Sequence, residues 1–456
     1  MEKMKVEIIS TETIRPSSPT PTHLRTYKMS RFDQISPKVY LPIIFYYPVS
    51  EDHLNVKQIS ARLKDSLSET LSRFHPLAGR IKNEDASVDC NDEGVMFSEA
   101  RVNCDLLEVL RDPKTDLLSQ FLPCSLVPTV PLDAVPQVAV QLNIFESGGI
   151  VIGFCSFHLV ADGTSWSAFL KCWSSIARGS YSYDEELISP DFSVTSKLFP
   201  PMESQKSNAF LIDNRWLSLG RGVRRRFVFD AAAISVLKGK AASQIVPEPS
   251  RFEAVSAFVW KSALAASRAA FGSHKLQPSI MSFPANMRPR TVLPLSKNPI
   301  GNCAWGVVVP YPAEETELQG LVGRIRAEIE KIDNNFVLSL QDGEKFRVIT
   351  KSREEPEEIY PNAKPEMYAF TNWCKLGYNE VDFGWGKPIW VSNIGGDSNA
   401  YYIRNVILME TSCGQGIEAW MMLHEKVMEI LENDAEFSAM ATLNPSIADR
   451  ASCHKE

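Results

Sequence analysis

Two short signatures carry most of the chemistry legible in this chain. The first is Phe157-His158-Leu159-Val160-Ala161-Asp162-Gly163, an H-x-x-x-D-G pattern. It puts an imidazole at the end of an apolar run, with an acid and a glycine one turn on. An imidazole, whose unperturbed pKa is ~6.5, suits proton abstraction near neutral pH. The second, far downstream, is Asp382-Phe383-Gly384-Trp385-Gly386, a glycine-spaced aromatic turn. Either motif alone is a weak signal; the two in this order are a strong one.

Each motif also has a purely structural explanation. His158 could be a buried histidine capping a strand. Asp162 directly precedes a helical pattern, where Asp is a strong N-cap, so capping or a buried salt bridge is favoured over a direct proton relay. Gly163 would permit a tight bend or the close approach of a ligand. The Asp382–Gly386 segment reads as a turn that packs an aromatic ring while the acid holds the loop.

Nucleophilic and metal chemistry are less well supported. Cys155 lies three residues before His158, and odd separations in an extended strand point to opposite faces. It is expected in the core. No G-x-S-x-G elbow is present. His23, His53, His75, His274, His424 and His454 show no H-x-x-x-H or H-E-x-x-H spacing, so no metal site is expected. That leaves His158 as a base without a covalent enzyme intermediate, which suits direct transfer between two bound substrates.

The elements that must position His158 follow from periodicity. Residues 138–145 alternate with period two, 146–149 read as a turn, and 150–157 return as a buried apolar strand. The resulting hairpin ends at His158. A helix after Gly163 carries Trp166, Phe169, Leu170, Trp173 and Ala177 on one face. His158 therefore sits at a strand-to-helix junction, where side chains often project into a cleft. Upstream, 16–22 is proline-ruled and extended, and 38–47 is a strand in which Pro42 suggests an edge or a bulge. Residues 56–74 form an amphipathic helix through Ile59, Leu63, Leu67, Leu71 and Phe74. Residues 180–222 break periodicity like a crossover. Beyond it the pattern predicts strands near 224–229, 279–283, 303–310 and 387–391. It predicts helices from about 251 and over 314–334, and irregular chain over 339–366.

The chain has 456 residues, which favours two or three domains, and a net charge of −7. That charge argues against nucleic acid or anionic membrane as a general partner. Nine scattered cysteines without a C-x-x-C pair read as reduced thiols of a cytoplasmic protein. No secretory signal, apolar run of ~18 residues, or C-terminal prenylation or peroxisomal signal is expected from the sequence.

The motifs and their order resemble those of the plant BAHD acyltransferases, a family of acyl-CoA-dependent enzymes. The likeness covers nearly the whole chain. Ile14-Arg15-Pro16-Ser17-Ser18-Pro19-Thr20-Pro21 is similar to the family's opening. Leu71-Ser72-Arg73-Phe74-His75-Pro76-Leu77-Ala78-Gly79-Arg80 and Val88-Asp89-Cys90-Asn91-Asp92-Glu93-Gly94 resemble later family segments. Asn372-Trp373-Cys374-Lys375-Leu376-Gly377-Tyr378 and Gly414-Gln415-Gly416-Ile417-Glu418-Ala419-Trp420 resemble the branch that acetylates alkaloids.

The resemblance implies an α/β fold of two similar mixed-sheet domains, chloramphenicol acetyltransferase-like, with a solvent channel between them. It implies an N-terminal domain over 1–200, a crossover linker over 201–222 and a C-terminal domain over 223–456. A segment near 383–406 is expected to pack with the first domain. Acyl-CoA, expected to be acetyl-CoA, enters one mouth as a co-substrate, and a small-molecule alcohol enters the other. No cofactor is bound permanently, and a monomer without membrane or nucleic-acid partners is implied.

His158 matches the family base. Asp162 matches an acid that points away and pairs with Arg288. Asp382 is grouped with the catalytic residues, although its motif, with Gly384, Trp385 and Gly386, mainly holds the domains. Thr371 and Trp373 match positions near the acyl carbonyl, and Ser282, Asn286 and Thr371 are the expected CoA contacts. The implied reaction is acyl transfer to a hydroxyl of a plant specialised metabolite, an alkaloid or terpenoid alcohol. The alternatives are an aromatic acyl-CoA donor with an alcohol or amine acceptor, and a catalytically silent binding protein of the same fold. Three positions depart from the family pattern. Asn372 stands where Ser is common, Pro299-Ile300-Gly301-Asn302 replaces aromatic-Gly-Asn, and Gly163 is kept where alkaloid relatives often lose it.

Overall fold

The computed structural model describes residues 4–48, 56–82, 86–146, 148–179, 188–202, 216–272, 278–292, 295–312, 317–354, 360, 365–394 and 396–448. The strands of two large sheets are, in the first half, Val6–Ile14 (β1), Tyr40–Tyr47 (β2), Val95–Val102 (β3), Val138–Phe145 (β4) and Ile150–Phe157 (β5). Then come Gly222–Phe229 (β6), Ser279–Asn286 (β7), Ala304–Pro310 (β8) and Glu366–Asn372 (β9). The last are Trp390–Ser392 (β10), Asn405–Glu410 (β11), Ile417–His424 (β12) and Thr442–Leu443 (β13). The helices that matter for the site are Arg31–Gln34 (α1), Val56–Arg73 (α2), Gly163–Arg178 (α3) and Arg251–Phe271 (α4).

The first sheet has six strands in the order β1-β3-β4-β5-β2-β10. It is mixed: β3 and β4 run parallel and the other neighbours antiparallel. The second has seven strands in the order β8-β7-β9-β11-β12-β6-β13, with β7-β9 and β9-β11 parallel. Each sheet backs its own hydrophobic core. The architecture is thus two mixed α/β units.

Hairpin β4–β5 forms because its side chains alternate against cores on both faces, and every residue of β5 is buried. Asn143 closes the interior of that pair by donating to the Val151 carbonyl at 3.1 Å. Helix α3 lays Trp166, Phe169, Leu170 and Trp173 over it, with the Phe154 and Phe169 rings 5.9 Å apart. Trp173 also ties α3 to α2, its indole N–H donating to Ser66 Oγ at 3.0 Å. Gly179, at φ +65°, closes α3 in a left-handed cap.

Two short crossings join the halves. Strand β10 follows the Asp382–Gly386 turn and adds to the edge of the first sheet, pairing Trp390 with Tyr46 and Ser392 with Ile44. Pro42 lies one strand in from that edge, but β10 covers β2 only at 44–46, and Asn393 Nδ2 donates to the Pro42 carbonyl beyond the pairing. Segment α1, although in the first half, inserts Phe32 into the second core against Phe199 at 4.9 Å.

Several boundaries differ from the periodicity reading. The stretch expected to be irregular over 339–366 begins instead inside a helix, Asn334–Ser339, and continues with Gly343–Glu354. Buried Val337, Leu340 and Phe346 anchor it to the second core, a sparse apolar spacing that the polar majority masks. The charged helix expected over 314–334 spans Leu318–Glu330, because Asp333 caps the next helix through Phe336 N–H at 2.8 Å. Residues 314–316 lie outside the described residues, as do 203–215 of the crossover, Ser147 of the hairpin turn and the C-terminal 449–456.

Candidate active site

His158 is the first residue past β5. Its backbone N–H donates to the Val39 carbonyl at 2.9 Å, which holds it in line with the strand. Its side chain is half-buried. Nδ1 is buried and closes no hydrogen bond of good geometry. Burial lowers the imidazole's pKa below its ordinary value, more than its own backbone, the Asp162 charge and the Asn302 side chain raise it.

Asp162 is fully engaged elsewhere. It caps α3 by accepting from Ser165 N–H at 3.0 Å and Ser165 Oγ at 3.0 Å. Its other oxygen accepts from Cys303 N–H at 3.0 Å and Arg288 Nη1 at 2.7 Å, with Arg288 Nη2 3.3 Å from the first. Burial raises this carboxyl, but the Arg288 charge and these donors outweigh it and hold it below the usual carboxylate range. Arg288 Nη1 and Nη2 also donate to Ser165 Oγ, the Pro299 and Gly301 carbonyls and Asn286 Oδ1, while the buried Nε closes no hydrogen bond. Asn286 is exposed; its Oδ1 accepts from Arg288 N–H at 3.1 Å, and its Nδ2 lies 3.5 Å from Thr164 Oγ1.

A second buried acid supports the His158 backbone, and the sequence reading passed over it. Asn302 Nδ2 donates to the carbonyls of His158 at 3.1 Å and Leu159 at 3.2 Å. The same amide, with its own backbone N–H, donates to Asp33 Oδ1 at 2.8 and 2.9 Å. Asp33 Oδ2 accepts from Ser30 N–H, Ser30 Oγ and Tyr27 Oη at 2.7, 2.8 and 3.1 Å. Burial pushes this carboxyl up, and the hydrogen bonds from Asn302 and Ser30 only partly offset it. The available signal was Ser30-x-x-Asp33, a capping-box spacing that marks α1.

Trp373 follows β9, and its backbone donates to the Leu408 carbonyl at 2.8 Å. Its ring stands edge-on to Tyr378 at 6.0 Å. Tyr378 Oη donates to the Gly163 carbonyl at 3.2 Å, and Ser167 Oγ donates to the Leu376 carbonyl. The 373–378 loop is therefore clamped to the first turn of α3, beside His158. A Cβ on Gly163 would come within 3.1 Å of Leu376 Cδ1, so the glycine lets the loop approach. Ser282 and Thr371 are half-buried on neighbouring strands β7 and β9, which lead to Arg288 and Trp373 respectively.

Asp382 is not brought to His158. Its carboxylate lies 4.0 Å from Arg178 Nη1, at the far end of α3, a helix of 16 residues and so about 24 Å long. The grouping of Asp382 with the reacting residues gives way to a loop role. Asp382 Oδ1 accepts from Gly384 N–H at 2.8 Å and Gly386 N–H at 2.9 Å. Those glycines have φ +103° and +102°. Phe383 packs on Trp173 at 4.7 Å, Trp385 stacks on Phe383 at 5.7 Å, and Tyr47 Oη donates to the Val381 carbonyl at 2.8 Å. The turn thereby fastens the chain entering β10 to the first core.

Nothing lies near a Cβ built on Gly386, so Gly386→Ala isolates backbone strain. It should destabilise the protein by about 1–3 kcal/mol. In Gly384→Ala the new Cβ would also meet Arg62 Nη1 at 2.7 Å, so the loss should be at least as large. Urea melts of both variants check this; a wild-type midpoint for Gly386→Ala would refute it.

Cys155 is buried in β5, and Cys124 and burial both push its thiol up, which does not suit a nucleophile. Among the described residues no group of three His, Cys, Asp or Glu side chains could hold a metal. No helix among them is long and apolar enough to cross a membrane.

Known proteins resemble this chain in sequence and fold. The family model described as Transferase family matches residues 4–438. Akuammiline synthase 2 of Alstonia scholaris is 38% identical, with 97% of this chain and 98% of the relative covered. Limonoid 7-O-acetyltransferase of Citrus sinensis is 40% identical, with 97% and 99% covered. The crystal structure of vinorine synthase superposes with a TM-score of 0.80 at 32% identity, covering 97% of this chain and 100% of that one. With a family model spanning nearly its whole length, relatives matched end to end, and the same two-domain fold, the chain belongs to the BAHD transferase family and is an acyltransferase.

Proposed function

We propose that this enzyme transfers an acetyl group directly from acetyl-CoA to a hydroxyl of an alkaloid or terpenoid alcohol, with His158 as general base. The observation that carries the reading is the state of His158. It is half-buried at the strand–helix junction, with Nδ1 buried and the imidazole's pKa lowered by burial. A proton on Nδ1 leaves the Nε2 lone pair for the substrate. Asp162, saturated by Arg288, Ser165 and Cys303, fixes the junction and takes no proton.

In this reading Nε2 removes the acceptor's hydroxyl proton and the oxygen attacks the thioester carbonyl. The tetrahedral oxyanion takes a hydrogen bond from the Trp373 indole N–H, and loss of one such donor typically costs about 3–4 kcal/mol of barrier. The intermediate collapses with cleavage of the carbon–sulfur bond, and protonated His158 returns its proton to the CoA thiolate. Acyl-CoA lies along Ser282 and Thr371, and Tyr378 positions Trp373. The choice of acetyl donor and of an alkaloid or terpenoid acceptor draws on the akuammiline synthase and limonoid acetyltransferase relatives.

The test is CoA-thiol release with acetyl-CoA across a panel of alkaloid, terpenoid and phenolic alcohols. Acceptor-dependent release supports the proposal. Release only with benzoyl-CoA or coumaroyl-CoA would move the enzyme to aromatic acyl donors. Silence with every donor would favour a binding protein of this fold.

The pH profile gives an independent check. The active form is neutral His158, and its pKa lies below the ordinary ~6.5 because of burial. The kcat/KM should therefore rise through an acidic limb with a midpoint below about 6.5 and be flat from pH 7 to 8. A midpoint above 6.5 would contradict the base assignment.

A further inference from the structure

Two cysteines that acyl transfer leaves without a role are set side by side by the fold. Cys155 is buried in β5, and Cys124 is half-buried in the segment that follows the turn Thr115–Phe121. That segment lies directly on β5. A Cβ built on Gly153 would stand 2.0 Å from the Phe121 carbonyl oxygen and 3.2 Å from Leu122 Cα. Gln141, the β4 partner of Gly153, donates through Nε2 to the Gln120 carbonyl at 2.9 Å, and Asn143 Nδ2 donates to the Phe121 carbonyl at 3.0 Å. Leu122 is extended, at φ −98° and ψ 144°. Further on, the Leu126 carbonyl accepts from the Tyr40 N–H at 2.7 Å, and Tyr40 pairs with Phe157. In passing from Leu122 to Leu126 the chain therefore runs from the level of Gly153 to that of Phe157, which brings Cys124 level with Cys155. Side chains two apart on a strand share a face, so Cys155 points the way Gly153 opens, toward this segment.

The two thiols act on each other. The hydrogen bond with Cys155 holds the Cys124 thiol below its ordinary value, although burial opposes it. The same contact, burial and the Cys124 charge push the Cys155 thiol up. Tyr40, on the same face, is raised by burial and then by both cysteines. The more exposed partner is thus the more readily ionised, and the thiolate is the form that meets an oxidant.

We propose that Cys124 and Cys155 form an oxidative modification site, at which hydrogen peroxide closes a reversible disulfide between this segment and β5. The Cys124 thiolate attacks the peroxide. A sulfur–oxygen bond forms as the oxygen–oxygen bond breaks, and Cys124 becomes a sulfenic acid. The negative sulfur that pushed Cys155 up is then gone. The Cys155 sulfur attacks Cys124, the sulfur–sulfur bond forms, and hydroxide leaves with the Cys155 proton as water. Two thiols lose two electrons and one peroxide becomes two waters. The neighbouring Phe154 packs on Trp166 and Phe169 of α3, so the bond forms on the opposite face of β5. Cys155 thereby keeps Cys124 from the irreversible sulfinic acid.

The experiment is brief exposure of the native full chain to hydrogen peroxide, alkylation of the remaining thiols, and peptide mapping without reductant. A cross-link between Cys124 and Cys155 should appear and should be lost with dithiothreitol. In Cys155→Ala, Cys124 should instead give a sulfenic acid that dimedone traps, and should pass to sulfinic acid on longer exposure. In Cys124→Ser, Cys155 should stay an unmodified thiol. The exposed Cys413 is the internal control for dose. The proposal is overturned if both thiols stay free when Cys413 is oxidised, if Cys124 reaches sulfinic acid in the wild type while Cys155 stays a thiol, or if either cross-links to another cysteine. The wild-type map stands whether or not the variants fold. None of these readouts involves turnover, so they stand apart from the acyl-transfer assignment.

Discussion

Replacing His158 with alanine should lower kcat by about 10²–10⁴-fold while acyl-CoA still binds within a few-fold of wild type. The size follows from what is removed. The described residues around the junction hold no second free base: Asp162 is bound by four donor groups, Asp33 is buried beneath Asn302, and Asp382 lies at the other end of α3. Substrate positioning survives, because Trp373 is held by Tyr378 and the β9–β11 pairing rather than by the imidazole. The mutant should therefore keep the part of the rate that comes from holding two substrates together. Its acidic limb should also vanish from the pH profile. Single-turnover CoA release, with acetyl-CoA binding measured separately, checks both. Turnover within threefold of wild type would remove His158 from the mechanism.

Glu418→Ala should cost about 3–5 kcal/mol of stability, the largest expected loss from a residue outside the site. Arg226 and Glu418 sit in antiparallel strands β6 and β12, at 0% and 3% side-chain exposure, with Nη1 and Oε1 3.0 Å apart. The guanidinium also donates to Asn444 Oδ1 at 3.1 Å and to the Pro445 carbonyl, and lies over the Trp390 ring at 5.1 Å. Glu418 Oε2 accepts from the Trp390 indole at 3.1 Å. Trp390 in turn stacks on Tyr46 at 4.6 Å, so the pair joins the second sheet to the strand lent to the first.

Truncating Glu418 leaves the buried Arg226 cation without its counter-charge and the Trp390 indole N–H without its acceptor, so part of the desolvation cost of both goes uncompensated. Glu418→Gln, which keeps an acceptor, should lose less. Arg226→Met/Glu418→Met, which removes both charges, should be milder than either single truncation. Urea midpoints of the set test the ranking. A single mutant within 1 kcal/mol of wild type, or a double mutant worse than both singles, would contradict it.

The local chemistry of the site was legible from residue order. A two-residue period over β4 and β5 and a helical period from Trp166 to Ala177 put His158 at a junction. Asp before Gly163 marked an N-cap, and Gly384 and Gly386 marked a turn that only glycine tolerates easily. These features depend on neighbours within a few residues, so periodicity and capping rules reach them. The helix within 339–366 escapes the periodicity for a related reason: two buried side chains, Leu340 and Phe346, among many charges carry too little periodic signal, and packing on the second core supplies the rest.

What no short window contains is which distant groups meet. Asn302 reaches Asp33 across 269 residues and the His158 carbonyl across 144. Asp33 in isolation reads as a residue of one short turn, yet it is buried and holds Asn302 against the His158 backbone. Asp382 is grouped with the catalytic residues by the family resemblance, yet its carboxylate sits beside Arg178 at the far end of α3. The sequence by itself determined the junction, the cap and the glycine turn, because each is decided by backbone sterics and hydrogen bonds between near neighbours. The tertiary structure alone decided the Asp33–Asn302 support and the Arg226–Glu418 tie. Those contacts exist only once strand order and core packing have brought remote segments together.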